Sequence, residues 1–425
     1  MNLQLAKGVR DVPPEEKLLQ NKIVRTLQEV FEIYGFTPLE TPIFERYETL
    51  TAKGGVGAGT DTFNETFKFT DQGGRQLGLR FELTTSLARY VGTNPSLKLP
   101  FKRYEIGPVF RDGPIKLGRY RQFWQCDIDT LGAKSMLAEA EILAVVQKVF
   151  EQLNLEVIIK INNRKLLNGL LEEAGLKERE EALIVLDKLN KIGAEGVKKE
   201  LAALGIKKAA SEKLFELLSE KNSLENLSKK IKSTIGQEGL KELNELFSYL
   251  KMMGVNNYQL DLSLARGLAY YTGTIYEVYL KKGVVTSALA GGGRWDQMIG
   301  KFVGGGREIP AVGIAFGLAP IMDTLVAEKK LAEKTPAQIY VLPIKTLKES
   351  LKLAEELRTQ GIKTDFDLTE RGVGKGLEYA SALGIPYVLL IGENELAKKK
   401  VLLRNMQNGD QQLLALADVV KKLKK

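Results

Sequence analysis

Arg266-Gly267-Leu268-Ala269-Tyr270-Tyr271-Thr272-Gly273 sets one guanidinium and two phenols on a glycine-flanked segment. Arginine is a planar fork of donors that meets carboxylate or phosphate oxygens two at a time, and phenols add neutral hydrogen bonds. A second block lies far upstream, Phe110-Arg111 followed by Gly118-Arg119-Tyr120-Arg121-Gln122-Phe123-Trp124-Gln125. Together the two blocks suit a small polar ligand that carries negative charge.

A reaction that brings a carboxylate against a triphosphate gathers further negative charge in its transition state, and preorganised cations offset it. Arg111, Arg121 and Arg266 suit that task, while the ordinary alternative for each is a surface arginine at a strand end or turn. Glu82 and Thr84, in Leu79-Arg80-Phe81-Glu82-Leu83-Thr84-Thr85, join Gln125 in offering acceptors to an ammonium. Singly, Glu82 and Asp129 read equally well as exposed strand carboxylates, and Tyr271 as an amphipathic core residue. Residues 54–61, rich in glycine and hydroxyls, read as a mobile ligand loop or as a plain surface turn. Gly291-Gly292-Gly293-Arg294-Trp295-Asp296 reads as a close backbone approach to a ligand or as a hairpin bend.

Those residues need a frame. Helical spacing over 15–34 follows the turn-forming Pro13-Pro14, and extended segments are expected at 36–44, 67–70, 76–83, 102–111 and 120–130. A helix over 136–153 and a strand over 155–161 complete a first block with a mostly antiparallel sheet. From 164 to 250 the chain alternates Lys/Glu runs with Leu and Ile at three- and four-residue spacing, a helical module. Strand-like residues return at 258–264 and 274–280, so the module interrupts the sheet. Beyond a charged linker at 328–336, strands at 339–342, 363–366 and 387–391 alternate with helices at 347–359 and 375–383, a parallel α/β pattern. A further strand is expected at 401–404 and a closing helix at 411–423.

The chain has 425 residues, 44% apolar and 27% charged, which is enough for two to four globular domains. The formal charge of +9 permits a polyanionic partner. Its single cysteine, Cys126, excludes an internal disulfide and points to a cytoplasmic home. The longest uncharged apolar stretch, 309–322, is shorter than the ~18 residues of a membrane span. With no histidine, a Ser/His/Asp triad, imidazole acid–base catalysis and His/Cys zinc sites are excluded. No P-loop is present, because Thr369 stands where the first glycine before Gly374-Lys375 belongs. No resident metal is expected.

The motifs resemble those of histidyl-tRNA synthetase over nearly the whole chain. They run from Lys7-Gly8-Val9-Arg10-Asp11 through Thr41-Pro42-Ile43-Phe44-Glu45 and 110–125 to 266–273 and 291–296, and end in Leu389-Leu390-Ile391-Gly392-Glu393-Asn394-Glu395-Leu396. The resemblance implies an α+β catalytic domain with a class II antiparallel sheet (1–161 and 256–327), a helical insertion (162–255) that touches the tRNA acceptor arm, and a C-terminal α/β anticodon-binding domain (336–425). It also implies a homodimer whose ligands are histidine, ATP with Mg²⁺, and tRNA(His). Arg111 and Arg266 then face the α-phosphate, with Arg266 partly in the role of a metal ion. Glu82, Thr84 and Gln125 hold the α-amino group, Asp129 with Tyr271 and the adjacent Tyr270 hold the imidazole, and Arg119 and Arg121 lie near phosphates or the tRNA end.

Four positions depart from the family pattern: Gly113 replaces an acid, Pro320 an arginine that meets adenine and the γ-phosphate, Ala269 an aspartate, and Trp124 a histidine or tyrosine. Compensation at the γ-phosphate is expected from Arg119 or Arg121, then from Arg294 or Arg307. The alternative reading is a catalytically silent paralogue, a histidine-sensing regulatory subunit or a tRNA-sensing module; regulatory subunits of that kind lack the anticodon domain.

Overall fold

The computed structural model describes residues 3–51, 65–115, 120–176, 179–219, 223–266, 270–283, 285–303, 308–328 and 334–424, except the side chains at 190, 301 and 303. Residues 54–61, Arg119, residues 267–269 and Arg307 therefore lie outside the described residues. Two compact units are found, one of residues 1–10 and 23–329, the other of residues 11–22 and 330–425.

The strands of the first unit are β1 (Thr37–Pro38), β2 (Phe44–Arg46), β3 (Lys68–Thr70), β4 (Gln76–Leu79), β5 (Phe101–Phe110), β6 (Gln122–Leu131), β7 (Val157–Asn163), β8 (Tyr258–Leu260), β9 (Thr274–Leu280), β10 (Ala290–Arg294) and β11 (Ala311–Gly317). Among the described residues, eight form one sheet in the order β1-β5-β6-β11-β10-β9-β7-β8. Its interior pairs are antiparallel and only the outermost pairs, β1 with β5 and β7 with β8, are parallel. β2, β4 and β3 make a separate small sheet.

Side chains alternate across a strand, so β6 sends Cys126 and Ile128 to one face and Gln125, Asp127 and Asp129 to the other. The first face is apolar. Phe316 of β11, paired with Cys126, packs within 5.6 Å of Phe31 from helix Pro14–Ile33 and 6.0 Å of Phe150 from helix Leu137–Gln152, measured between ring centroids. On the second face the neighbours on β11 and β10 are Gly313, Ala315, Gly317, Gly291 and Gly293, which have little or no side chain. That bare floor leaves room for a ligand.

The residues 291–296 are thus no hairpin bend. Gly291-Gly292-Gly293 runs through the middle of the sheet, where a Cβ on Gly292 would lie 2.0 Å from the Gly313 carbonyl oxygen and 2.7 Å from the Ile314 Cα. Both obstacles are backbone. Gly292→Ala is therefore expected to cost ~3 kcal/mol or more, at the upper end for overpacking, and a urea midpoint equal to that of the parent would count against this reading of β10.

Between β7 and β8 lie helices Arg164–Glu173, Arg179–Leu186, Leu189–Ala203, Lys208–Leu217, Leu224–Lys230 and Thr234–Met252. Asn163 starts the first of them, its side-chain oxygen accepting from the Lys165 and Leu166 amides. The first and last cross closely because glycine faces glycine: a Cβ on Gly169 would lie 2.4 Å from the Gly236 Cα. This helical segment falls within the first unit.

The second unit holds β12 (Ile339–Ile344), β13 (Thr364–Phe366), β14 (Tyr387–Gly392), β15 (Val401–Asn405) and β16 (Gln411–Leu414), in the order β13-β12-β14-β15-β16. β12 is parallel to both neighbours and buried on both faces, with Ile339 and Val341 in one core and Tyr340 and Leu342 in the other. The expected helix over 411–423 is corrected here. Gln411–Leu414 is an antiparallel edge strand paired with β15 after a turn at Gly409, φ +78°, and the helix covers only Leu416–Leu423.

Candidate active site

A cavity of about 390 Å³ opens above the glycine-rich floor, lined by Arg111, Phe123, Trp124, Gln125, Arg266, Glu277, Leu289 and Pro320 among others. It draws together both arginine blocks. Arg111 follows directly on β5, its Nε donating to the Phe81 carbonyl at 3.1 Å and its guanidinium lying 5.0 Å from the Phe123 ring centre. Arg266 sits in the left-handed region at φ +44°, where non-glycine residues pay a strain energy. Its side chain passes over the bare Gly291, close to the Tyr276 and Gly292 carbonyls at 3.5 Å each, and reaches Glu277 Oε1 at 3.6 Å. Gln125 Oε1 is buried without a hydrogen-bond partner among the described residues.

The remaining candidates form a second cluster that does not line the cavity and is joined to it by Arg266, whose guanidinium lies 5.3 Å from the Tyr271 ring. The Tyr270 and Tyr271 rings lie 4.3 Å apart, centre to centre, tilted by 38°. Burial, reinforced by the neighbouring Tyr271, pushes the Tyr270 phenol well above its ordinary value. Glu82 caps helix Thr84–Thr93, accepting from the Thr84 and Thr85 amides. Asp129 is buried, with Arg103 Nη2 2.6 Å from its Oδ2. Burial raises the Asp129 carboxyl to about 6, against the pull of Arg103.

Arg121 does not reach the cavity. Its Nη2 pairs with Asp112 Oδ1 at 2.9 Å and its amide donates to the Gly8 carbonyl at 2.8 Å, so the N-terminal Lys7-Gly8-Val9-Arg10 run braces this loop. Arg294 is corrected as a phosphate ligand. Glu139 takes its Nε at 2.6 Å and Nη2 at 2.7 Å, both side chains being buried away from the cavity lining. The space beside Gly113, where an acidic side chain is usual, is taken by the Glu65 carboxylate, 2.6 Å from where a Cβ would stand. Two residues escaped the sequence reading, Glu277 and Arg103. Glu277 lies on the strand alternation of β9 directly opposite Gly291, a signal that exists only once the pairing is known.

Residues 8–321 match the family model for histidyl-tRNA synthetase. The chain belongs to the histidyl-tRNA synthetase family. Residues 338–425 match the model for an anticodon binding domain. A protein of Bacillus cereus named histidine–tRNA ligase 1 is 42% identical over 425 residues, covering 99% of each chain. The crystal structure of histidyl-tRNA synthetase from Nostoc sp. PCC 7120 aligns with a TM-score of 0.89 at 31% identity, over 100% of this chain and 99% of that one. A structure from Bacillus halodurans C, described as an ATP phosphoribosyltransferase regulatory subunit/histidyl-tRNA synthetase, aligns at 0.74 over 90% of this chain and 97% of that one; at 23% identity it shares the fold alone. Family members carry the class II fold, and the described strands here have that arrangement, with a separate C-terminal sheet.

Proposed function

We propose that the chain joins histidine to ATP, forming histidyl-adenylate and releasing pyrophosphate, and then transfers the histidyl group to tRNA(His). The observation that carries this reading is that Arg111 and Arg266, about 155 residues apart in sequence, line one cavity with the Gln125 carbonyl, which has no hydrogen-bond partner among the described residues. In it Arg111 and Arg266 bind the α-phosphate. Glu82, which keeps lone pairs beyond its two backbone bonds, receives the α-ammonium with Thr84 and Gln125. Asp129 and Tyr271 recognise the imidazole and Tyr270 walls it. Arg119 and Arg121 serve phosphates or the tRNA end; for Arg121 this requires exchange of Asp112 for the ligand.

Among the described residues no group of three metal-ligating side chains exists. Glu277, a carboxylate on the cavity wall, is the protein group that would hold a Mg²⁺ arriving with ATP, and the ion would supply neutralisation of triphosphate charge.

Residues 336–425 read the anticodon and residues 162–255 approach the acceptor arm, as the family match over 338–425 and the family resemblance support. Among the described residues no helix is long and apolar enough to cross a membrane. A cytoplasmic home accords with the lone, buried Cys126. For a homodimer the support is the small sheet: Phe44 is 55% and Phe69 39% exposed, and the two rings meet edge to face at 6.2 Å. Exposed aromatics paired in this way make an apolar patch that a partner surface can cover. Phe44→Asp with Phe69→Asp is expected to weaken dimerisation ~10²-fold or more; an unchanged sedimentation profile would move the interface elsewhere.

The deciding experiment is histidine-dependent exchange of pyrophosphate into ATP, followed by charging of tRNA(His). Absence of exchange in a protein that binds histidine by calorimetry would overturn the ligase reading.

A further inference from the structure

β5 and β6 pair in a register that sets Arg103 opposite Asp129 and Glu105 opposite Asp127. All four side chains are buried, and Arg103 is wholly excluded from solvent. A lone guanidinium in such a place is costly to desolvate, and it is tolerated because carboxylates surround it. Its Nη2 stands 2.6 Å from Asp129 Oδ2 and its Nη1 3.7 Å from Glu105 Oε2. On the opposite side, Asp129 Oδ1 occupies the space of a missing side chain, 1.9 Å from where a Cβ on Gly313 would be. The Asp129 carboxylate is thus held between a cation and a bare Cα.

The same neighbourhood is crowded with acid. Glu82, Glu105 and Asp127 all bear on Asp129 or on one another, Tyr276 approaches from β9, and Trp295 donates to Asp129. Burial carries the Asp127 carboxyl well above its usual range even with Arg103 opposing. Glu105 has a second cation, Arg80, whose Nη1 is 2.9 Å from Oε1. At ion-pair distance, Asp129 has only Arg103 among the described residues.

We propose that Arg103 is the positioning residue of the histidine pocket: its guanidinium fixes the Asp129 carboxylate against Gly313 as the acceptor for an imidazole N–H. Arg103 touches no substrate; it acts through Asp129. The proposal rests on the assignment of Asp129 to the imidazole made above. It explains why a fully buried arginine sits behind Asp129, and why Gly313 carries no side chain.

The test is a set of variants, Arg103→Met, Arg103→Lys, Asp129→Asn and the double Arg103→Met/Asp129→Asn, in which the histidine KM and the ATP KM are followed by pyrophosphate exchange from pH 5 to 9. The loss of one charge-assisted contact behind a binding group is expected to raise the histidine KM of Arg103→Met by ~10-fold or more. The ATP KM stays within ~2-fold, because the cavity arginines are untouched. In the parent, after allowance for the titration of the substrate imidazole itself near the same pH, the histidine KM is expected to rise as pH falls through about 6, where Asp129 takes a proton. Without Arg103 the ionised form loses its cation, so this rise moves to higher pH. Arg103→Lys keeps the charge and recovers most of the parent pH profile, although it loses the fork. In the Asp129→Asn background Arg103→Met adds little, as expected for a residue that works through the carboxylate.

A parent-like pH profile in Arg103→Met, or an equal loss on top of Asp129→Asn, overturns the proposal and leaves Arg103 a structural ion pair. Should Arg103→Met fail to fold, the neutral Arg103→Gln takes its place: an unchanged histidine KM with a parent-like pH profile there overturns the proposal. An unchanged histidine KM in Asp129→Asn is a different failure, which removes Asp129 from the pocket and this inference with it.

Discussion

Arg266→Lys is expected to slow histidyl-adenylate formation at least ~10²-fold, the scale for removing one preorganised transition-state donor, while histidine binding changes little. The geometry explains why charge alone does not suffice. Arg266 holds a left-handed backbone conformation at φ +44° and threads its guanidinium over Gly291, where the fork meets Glu277 and two carbonyls at once. Lysine delivers one ammonium on a flexible stem and cannot keep several donors aligned while a phosphate arrives. Single-turnover measurement with ATP in excess reads the rate directly. A parent-like rate would remove Arg266 from the catalytic centre and leave Arg111 as the α-phosphate ligand.

Asp129→Ala is expected to act twice. It removes the imidazole acceptor, so kcat/KM for histidine falls ~10³-fold, a magnitude within what sites built to hydrogen-bond their substrate achieve in discrimination. It also removes the nearest counter-ion of Arg103, a wholly buried cation left with Glu105 at 3.7 Å, and breaking such a pair costs ~3–5 kcal/mol of stability. Unfolding midpoints and exchange kinetics separate the two effects. ATP binding by calorimetry is expected to persist in the fraction that remains folded, since Asp129 does not line the cavity. Equal loss of histidine and ATP binding would mean that Asp129 is structural only.

The Pro320 substitution takes a clearer shape in the structure than in the sequence. Pro320 lines the cavity and its ring lies 2.7 Å from where a Cβ on Gly317 would be, so the position of the missing arginine is filled by apolar carbon. Arg294 is committed to Glu139 and Arg121 to Asp112, which leaves Arg111 and Arg266 as the described cations on the cavity wall. Arg119 and Arg307 belong to segments outside the described residues.

Much was legible in the sequence because it is written locally. Family motifs placed Arg111, Gln125 and Arg266 in one site, and the periodicity of 339–391 announced a parallel sheet that β12, β13 and β14 form. The Lys/Glu-rich run was rightly helical, since amphipathic spacing needs no distant partner to be seen. Residues 411–414 were misread for the complementary reason: the pattern Gln-Gln-Leu-Leu suits either period, and pairing with β15 decided for strand.

By itself, then, the amino-acid order determined the class of fold, the family and the two arginine blocks whose Arg111 and Arg266 line the cavity, because those depend on residue type and short spacing. Only the tertiary structure decided which polar groups are free to act. Three consecutive glycines became a central strand because Gly313 crosses so closely behind Gly292, and an arginine beside them became a structural ion pair because Glu139 lies across from it. Arg103, Asp129 and Gly313 share no local pattern; antiparallel register brings them within contact, and burial among other carboxylates turns that contact into control of a charge.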